Sequence, residues 1–149
     1  MRCPALACAL ALGACVPAQG PLMRPGEDCM RCHGGDIVPG AAADAGFAVH
    51  HARPWTIAGT VYDALDADPN AGVLGAYVHV TDSNGWSFEL RSNLAGNFYS
   101  AEGVAFPLQL CMERGGNIVC AQSPHAYGSC NACHAQPPID GAAGRLVAP

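Results

Sequence analysis

The middle of the chain alternates apolar and polar residues in short runs that predict β-strands. Trp55–Tyr62 is rich in β-branched and aromatic residues, which favour strands. In Tyr77–Thr81, Val78 and Val80 fall on one face, and the residues between them fall on the other. Similar runs continue along the chain, so the sequence predicts an antiparallel β domain over residues 55–123.

The first turn in this region sets the register of a hairpin. A three-residue loop that closes at Gly85, in the left-handed conformation, pairs Asp82 with the first residue of the next strand. Val80 then lies opposite Phe88 on the inner face of the sheet. The same register directs His79 to the outer face, because successive side chains of a strand point to opposite sides.

A second hairpin brings two cysteines together. Gly115-Gly116 is a natural two-residue turn, and counting outwards from it sets Cys111 directly opposite Cys120. Directly opposed residues are close enough for a disulfide. The alternative is a pair of unconnected thiols.

Composition narrows the class of protein. Hydrophobic residues make up 50% of the 149 residues, which excludes a disordered polymer. The formal charge is −5 and the chain has no Lys, so no basic face for nucleic acid is expected. Nine cysteines are rare in a reducing cytoplasm and predict an oxidising compartment.

The first residues are typical of a targeting segment. Met1–Ala14 holds one basic residue and a short apolar stretch that is too short to span a bilayer as a helix. Leu12-Gly13-Ala14-Cys15 resembles the lipobox of bacterial lipoproteins, which implies acylation of Cys15, and Val16 implies sorting to the outer membrane. The alternative is an ordinary secretory signal in which Cys15 is incidental.

Two five-residue motifs, one towards each end of the chain, are the strongest indication of a cofactor. Cys29-Met30-Arg31-Cys32-His33 and Cys130-Asn131-Ala132-Cys133-His134 both have the Cys-x-x-Cys-His spacing of c-type haem attachment. Two thiols at this spacing reach the two vinyl groups of one porphyrin, and the adjacent His supplies a proximal ligand to the iron. The sequence therefore predicts two covalent haems, with Cys29, Cys32, Cys130 and Cys133 as attachment points and His33 and His134 as proximal ligands.

Two other chemistries use the same cysteines. Two Cys-x-x-Cys pairs can form a tetrahedral zinc site, and a single pair can act as a redox dithiol. Neither alternative explains why a His follows the second Cys in both motifs.

Each iron also needs a sixth ligand or an open position. His51 and His50 are the leading candidates for the first haem, followed by His125, with His79 the weakest because it lies on the outer face of the sheet. His125 can reach the other haem only if the chain ends meet. Bis-His haems suit electron transfer, whereas His/Met ligation by Met112 or Met23 would raise the potential.

The β region also carries a family resemblance. Gly59-Thr60-Val61-Tyr62, Gly75–Val80 and Asn93–Tyr99 resemble a carboxypeptidase-regulatory-like domain, which is a small transthyretin-like β-sandwich. With one haem motif at each flank, the chain resembles bacterial multihaem c-type cytochrome lipoproteins. The family domain has no catalytic residues of its own, so the resemblance implies none here.

The expected architecture is mainly β: a small antiparallel sandwich flanked by loop-rich haem-binding segments. We assign residues 1–14 to the signal peptide, 15–54 and 124–149 to the haem-binding segments, and 55–123 to the sandwich. The two segments have few large apolar residues, so we expect haem to order them, and haem-free protein to keep only the sandwich.

The function predicted from these features is electron transfer outside the cytoplasm, with no catalysis. Partners would be other redox proteins or an extracellular acceptor, and Cys15 would anchor the protein to a membrane in the periplasm or at the cell surface. Two alternatives stay open. One is a small haem enzyme with an open iron site, and the other is a binding module with an aromatic pocket around Trp55, Trp86 and Tyr77.

Overall fold

Seven strands and two single-turn helices form the regular structure in a computed structural model that describes residues 20–34, 54–139 and 141–149. The strands form two sheets, so the prediction of a mainly β, sandwich-like fold is confirmed. The predicted signal peptide, Cys15, His50 and His51 lie outside the described residues. Of the helices in the described ranges, none is long and apolar enough to cross a membrane.

The smaller sheet has three strands with β1 at its centre. Strand β1 (Ile57–Tyr62) pairs antiparallel with β4 (Asn97–Ser100) and parallel with β7 (Leu146–Val147). All six residues of β1 are buried, as expected for a strand covered on both faces. The sequence did not predict β7. This strand joins the C-terminal segment to the sandwich by backbone pairing with β1.

The larger sheet is a four-stranded antiparallel sheet in the order β3-β2-β5-β6. These strands are β2 (Tyr77–Thr81), β3 (Ser87–Arg91), β5 (Gln109–Arg114) and β6 (Asn117–Cys120). The predicted register of the first hairpin is confirmed, with Val80 opposite Phe88 and a left-handed Gly85.

The second hairpin also follows its prediction. Cys111 lies opposite Cys120 across β5 and β6, and the two residues form a disulfide. Their Cα atoms are 3.9 Å apart. The local geometry could be predicted because Gly115 and Gly116 both adopt the positive φ angles that this two-residue turn requires.

The apolar core draws on residues from both sheets. Ile57, Val61 and Phe98 come from the smaller sheet, and Val78 and Val80 come from the larger one. The other face of β1 carries Thr60 and Tyr62, which are buried beneath the N- and C-terminal segments rather than in this core.

Candidate haem attachment site

Each Cys-x-x-Cys-His motif folds as one turn of helix. Helix α1 spans Met30–His33 and helix α2 spans Cys130–Cys133. Residues three apart on a helical turn lie on the same side, so each turn presents its two cysteines together. None of the four motif cysteines forms a disulfide. This arrangement gives two separate pairs of thiols, each followed by a His.

The two motifs lie side by side although they are near opposite ends of the sequence. Ser129 Oγ donates a hydrogen bond to the carboxylate of Asp28, a residue 101 positions away. Asn131 Nδ2 donates to the Glu27 carbonyl oxygen at 2.8 Å. Asp28 and Ser129 are the residues that directly precede the first cysteine of each motif, so the contact joins equivalent points of the two helical turns.

Strand β1 is the shared support for both motifs. The Thr60 backbone N–H donates to Asn131 Oδ1 at 3.0 Å, and Asn131 Nδ2 donates to Thr60 Oγ1 at 2.9 Å. The Gly26 backbone N–H donates to the same Thr60 oxygen, also at 2.9 Å. Thr60 and Asn131 are both buried. A buried threonine therefore holds the segment before the first motif and the middle of the second motif at one point.

Two glycines allow the second motif to approach β1 closely. A Cβ on Gly59 would lie 2.9 Å from the Cβ of Cys130 and 2.6 Å from Phe98 Cζ. A Cβ on Gly128 would lie 1.8 Å from the Thr56 carbonyl oxygen. The Ala58 backbone N–H donates to the Gly128 carbonyl oxygen at 2.9 Å. The chain entering the second motif thus lies directly against β1, where no side chain fits.

The first cysteine of each motif is a poor thiolate. Burial raises the pKa of the Cys130 thiol to about 12, and the neighbouring charges add to this effect. The pKa of the Cys29 thiol is raised to about 11, first by burial and then by the negative charge of Asp28. A redox dithiol needs a lowered thiol pKa, so these environments disfavour that chemistry.

A shared zinc site also lacks support from the arrangement. Within residues 20–34, 54–139 and 141–149, no three His, Cys, Asp or Glu side chains are grouped as a metal ion would require. Zinc would also require thiolates, and burial disfavours that form at Cys29 and Cys130 by raising the pKa of each thiol.

His134 is oriented as a haem ligand would be. Its Nδ1 lies 2.8 Å from the Gly144 carbonyl oxygen, to which a neutral ring donates its proton. The lone pair is then on Nε2, and this tautomer is the one that a metal-ligating His commonly adopts. The carbonyl comes from the segment just before β7, so the pairing of β7 with β1 also positions this ring.

His33 is fixed by stacking. Its ring lies 3.9 Å from the Trp55 ring, centroid to centroid, and the planes differ by 8°. Trp55 in turn stacks on Tyr99 at 4.1 Å. Stacking covers a face of the imidazole and fixes its plane, while an iron ligand bonds through a nitrogen within that plane. The three-ring stack is compatible with a proximal role for His33.

The remaining candidate ligands are found in different surroundings. His79 is not in either cavity described below: Nε2 lies 2.8 Å from Glu113 Oε2, and Nδ1 lies 3.2 Å from Glu89 Oε1. Met112 packs against the sandwich core. His125 pairs with Leu108 through its backbone.

His125 is close enough to the second motif to interact electrostatically with it. Burial lowers the pKa of His125, and the proximity of His134 lowers it further. A lowered pKa keeps the imidazole neutral at neutral pH, as a metal ligand must be. The terminal haem-binding segments do meet, which was the condition for His125 to serve the other haem.

Two cavities lie beside the motifs. The larger, of about 530 Å³, includes His134 in its lining, and a smaller one of about 40 Å³ is lined by Cys29, Cys32 and His33. The larger volume is in the range of cofactor sites. Met23 lines both cavities, as do Arg24 and Glu27. The chain around Met23 thus separates a space at the first motif from a space at the second.

The residues of both motifs supply the thiol pair and the His that a c-type haem needs. At the second motif, the oriented His134 and a cavity of cofactor size support the fit, whereas the cavity at the first motif has a volume of only about 40 Å³. Sequence reasoning missed the support from Thr60 and Asn131, and it also missed Arg145, which lines the larger cavity. Asn131 is a variable position of its motif, and nothing in the local pattern marks it or the other two as partners across the chain.

The aromatic pocket considered for a binding module is not formed by its three proposed members. Trp55 stacks with His33 and Tyr99, Trp86 stacks on Phe88, and Tyr77 lies beneath Arg91. The three rings belong to three different contacts.

Comparisons of the chain with protein-family models, with curated proteins and with solved structures found no match. The resemblance to multihaem cytochrome lipoproteins with a carboxypeptidase-regulatory-like domain therefore stays a prediction from the sequence.

Proposed function

We propose that this protein is a dihaem c-type cytochrome that transfers electrons outside the cytoplasm. The observation that carries the proposal is the close approach of the two motifs beside strand β1, through the hydrogen bonds that join Asp28 to Ser129 and Glu27 to Asn131. Adjacent attachment points favour electron exchange within one molecule. An enzyme with one working haem has no need for this arrangement.

The chain's own residues would attach the two haems, orient them and shield them from solvent. Cys29, Cys32, Cys130 and Cys133 would hold the haems through thioether bonds, each formed by adding a thiol S–H across a vinyl group, so that new C–S and C–H bonds replace the S–H bond and the vinyl π bond. His33 and His134 would each supply a nitrogen to an iron, and the Gly144 carbonyl holds the proton on Nδ1 of a neutral His134. When bound, the haem supplies an iron that takes up and releases one electron.

Two candidates for the sixth ligand lie near the motifs. Met23 lines both spaces, and His125 lies near the second motif. His51 and His50 remain candidates from the sequence. Irons closed by two protein ligands suit electron transfer rather than oxygen chemistry.

The disulfide and the thioether attachment of haem both favour a location outside the cytoplasm. The Cys111–Cys120 disulfide is typical of an oxidising environment, and thioether attachment of haem takes place outside the cytoplasm. We propose a lipid anchor at Cys15 and an outer-membrane location. The formal charge of −5 favours a basic redox partner over an acidic one.

The first experiment counts the haems. Mature protein from a host that attaches c-type haem is measured by intact mass and by its absorption spectrum after denaturation. We expect two covalent haems in the wild type and one in either double variant, Cys29→Ala/Cys32→Ala or Cys130→Ala/Cys133→Ala. A wild-type mass without haem, or with bound zinc, would overturn the proposal.

The second experiment separates a carrier from an enzyme. Spectra of the oxidised and reduced protein are recorded with and without carbon monoxide. Low-spin six-coordinate haem that does not bind carbon monoxide supports electron transfer. A high-spin fraction that binds carbon monoxide would favour a peroxidase- or reductase-like enzyme instead.

A further inference from the structure

Arg145 is a buried cation with incomplete partners. Only 8% of its surface is exposed, and its Nε and one terminal nitrogen, Nη1, have no hydrogen-bond partner among the described residues. Its guanidinium lies 4.3 Å above the centre of the Tyr62 ring. The aromatic face offsets part of the charge, but it leaves those two nitrogens unsatisfied. Burying an unpaired charge is costly, so this side chain calls for an anion.

No protein carboxylate fills this role in the described part of the chain. The ion pairs found there join Arg24 to Glu27, His79 to two glutamates and Arg114 to Asp63. Arg145 is in none of them. Its location just before β7, with Leu146 paired to Val61, fixes the backbone that carries it.

Arg145 is one of the residues that line the larger cavity, as is His134. The charged residues lining that cavity are Arg24, Glu27 and Arg145, and the first two neutralise each other through an ion pair of 2.9 Å. The cavity therefore carries one uncompensated positive charge. An occupant of this space should bring a negative group to Arg145.

We infer that Arg145 binds a propionate carboxylate of the haem attached at Cys130 and Cys133. The inference rests on the proposed function. Haem carries two propionates as its anionic groups, and the planar guanidinium is suited to holding a carboxylate through two parallel hydrogen bonds. Arg145 would then be a positioning and tuning residue for the second haem, distinct from its attachment and axial ligands.

Arg145 should also raise the potential of that haem. A fixed positive charge nearby disfavours the oxidised state, which carries one more positive charge than the reduced state. Replacing Arg145 by a neutral side chain removes this effect and leaves the propionate charge uncompensated. Both changes favour oxidation and lower the midpoint potential.

The test is a spectroelectrochemical titration of the dihaem protein. We expect Arg145→Gln to lower the midpoint potential of one haem. At a fixed applied potential, the ratio of oxidised to reduced haem should rise threefold to tenfold, and the tenfold limit corresponds to about 59 mV for one electron. Arg145→Lys, which keeps the charge, should shift the potential much less. The shift should persist when Cys29 and Cys32 are replaced by Ala and only the second haem remains.

Arg91→Gln is the matched control, because it removes the same charge from an exposed residue of β3. An Arg145→Gln shift no larger than that of Arg91→Gln, in protein that carries both haems, would overturn the inference and leave the proposed function standing. Absence of haem from the wild type would overturn the proposed function itself.

A structure of the holoprotein gives a second measurement that does not depend on the folding of a variant. The inference requires guanidinium nitrogens of Arg145 within hydrogen-bond distance of a propionate oxygen. A guanidinium paired with a protein carboxylate would contradict it.

Discussion

Thr60 is the residue at which three parts of the chain meet. Its hydroxyl is shared by the Gly26 backbone, by Asn131 and by Asn97, whose Oδ1 lies 2.8 Å away. Asn97 Nδ2 also donates to the Met23 carbonyl oxygen at 2.9 Å. A small set of buried amides and one hydroxyl therefore determines where both motifs sit, and such networks are stabilising only when all members are satisfied.

Replacing Asn131 by Ala should break this network. The substitution removes the acceptor of the buried Thr60 N–H and the donor to the Glu27 carbonyl. We expect the free energy of unfolding to fall by about 2–4 kcal/mol, the cost of leaving such groups unpaired. Urea unfolding of the holoprotein measures it. Asn117→Ala, at an exposed position of β6, should change stability by less than about 0.5 kcal/mol, and an equal loss in both variants would contradict the argument.

Asp82 gives the fold an acid-sensitive contact. Its carboxylate accepts backbone N–H bonds from Ala105, Trp86 and Asn84, and these bonds lower its pKa below the ordinary value of 3.8. A lowered carboxyl pKa contributes stability that is fully present above the ordinary value and is lost as the pH falls through the folded value. The contribution is therefore intact at neutral pH.

The measurement compares unfolding at about pH 6 and about pH 3. The wild type should lose more stability across this interval than Asp82→Asn, which has no charge to neutralise. Glu102→Gln, at an exposed carboxylate, serves as the control and should follow the wild type. A parallel loss in wild type and Asp82→Asn would rule out this role for Asp82.

Sequence reasoning at this scale succeeded at the Cys111–Cys120 disulfide, because its pairing follows from one turn. The cysteine and His positions of each motif also come from a local, five-residue pattern, and their role as haem sites stays a prediction. Asn131, Thr60 and Arg145 act through partners far away in the chain. Their roles depend on which strands become neighbours, and no local pattern contains that information.

Among the elements, the β5–β6 hairpin depends most on a covalent link. All four residues of β6 are exposed, and the strand lies at the edge of its sheet. Few buried apolar contacts hold it there. The disulfide between Cys111 and Cys120 therefore holds β6 against β5, whereas apolar packing holds the central strands in place.

Replacing Cys111 and Cys120 by Ser should lower the free energy of unfolding by about 2–3 kcal/mol. The bridge joins residues nine apart in sequence, and a closed loop of this size restricts the unfolded chain by that amount in the chain-entropy model. Urea unfolding under non-reducing conditions measures the loss. Wild type treated with a reductant should match the double variant, and a double variant as stable as the untreated wild type would contradict the prediction.

Among the strands, sequence patterns predicted the two hairpins but not β7. The two hairpins were predictable because Gly85 and Gly115-Gly116 specify their turns and therefore their registers. Strand β7 has only two residues and pairs parallel to β1. So short a segment has no periodicity, and its partner is selected by the packing of the C-terminal segment against β1.

For the whole molecule, the close approach of the two motifs predicts, on the proposed function, that two attached haems would interact. Oxidising one haem places a positive charge beside the other, which makes the second oxidation harder. The redox titration of the wild type should therefore be broader than the sum of the titrations of the two single-haem variants, Cys29→Ala/Cys32→Ala and Cys130→Ala/Cys133→Ala. Raising the salt concentration should reduce the difference only partly, because a close pair is poorly screened.

A wild-type titration equal to that sum would indicate haems too far apart to interact. The control is a mixture of the two single-haem variants, which contains the same haems on separate chains. Its titration should reproduce the sum at every salt concentration.

The position of Cys130 has a consequence for the order of assembly. Cys130 is partly buried against the apolar core beside Gly59, and the segment around it is held by residues more than 70 positions away. On the proposed function, haem attachment needs an accessible sulfur, so we expect it to precede the packing of this segment against β1. Docking of the segment would then cover the modified cysteine.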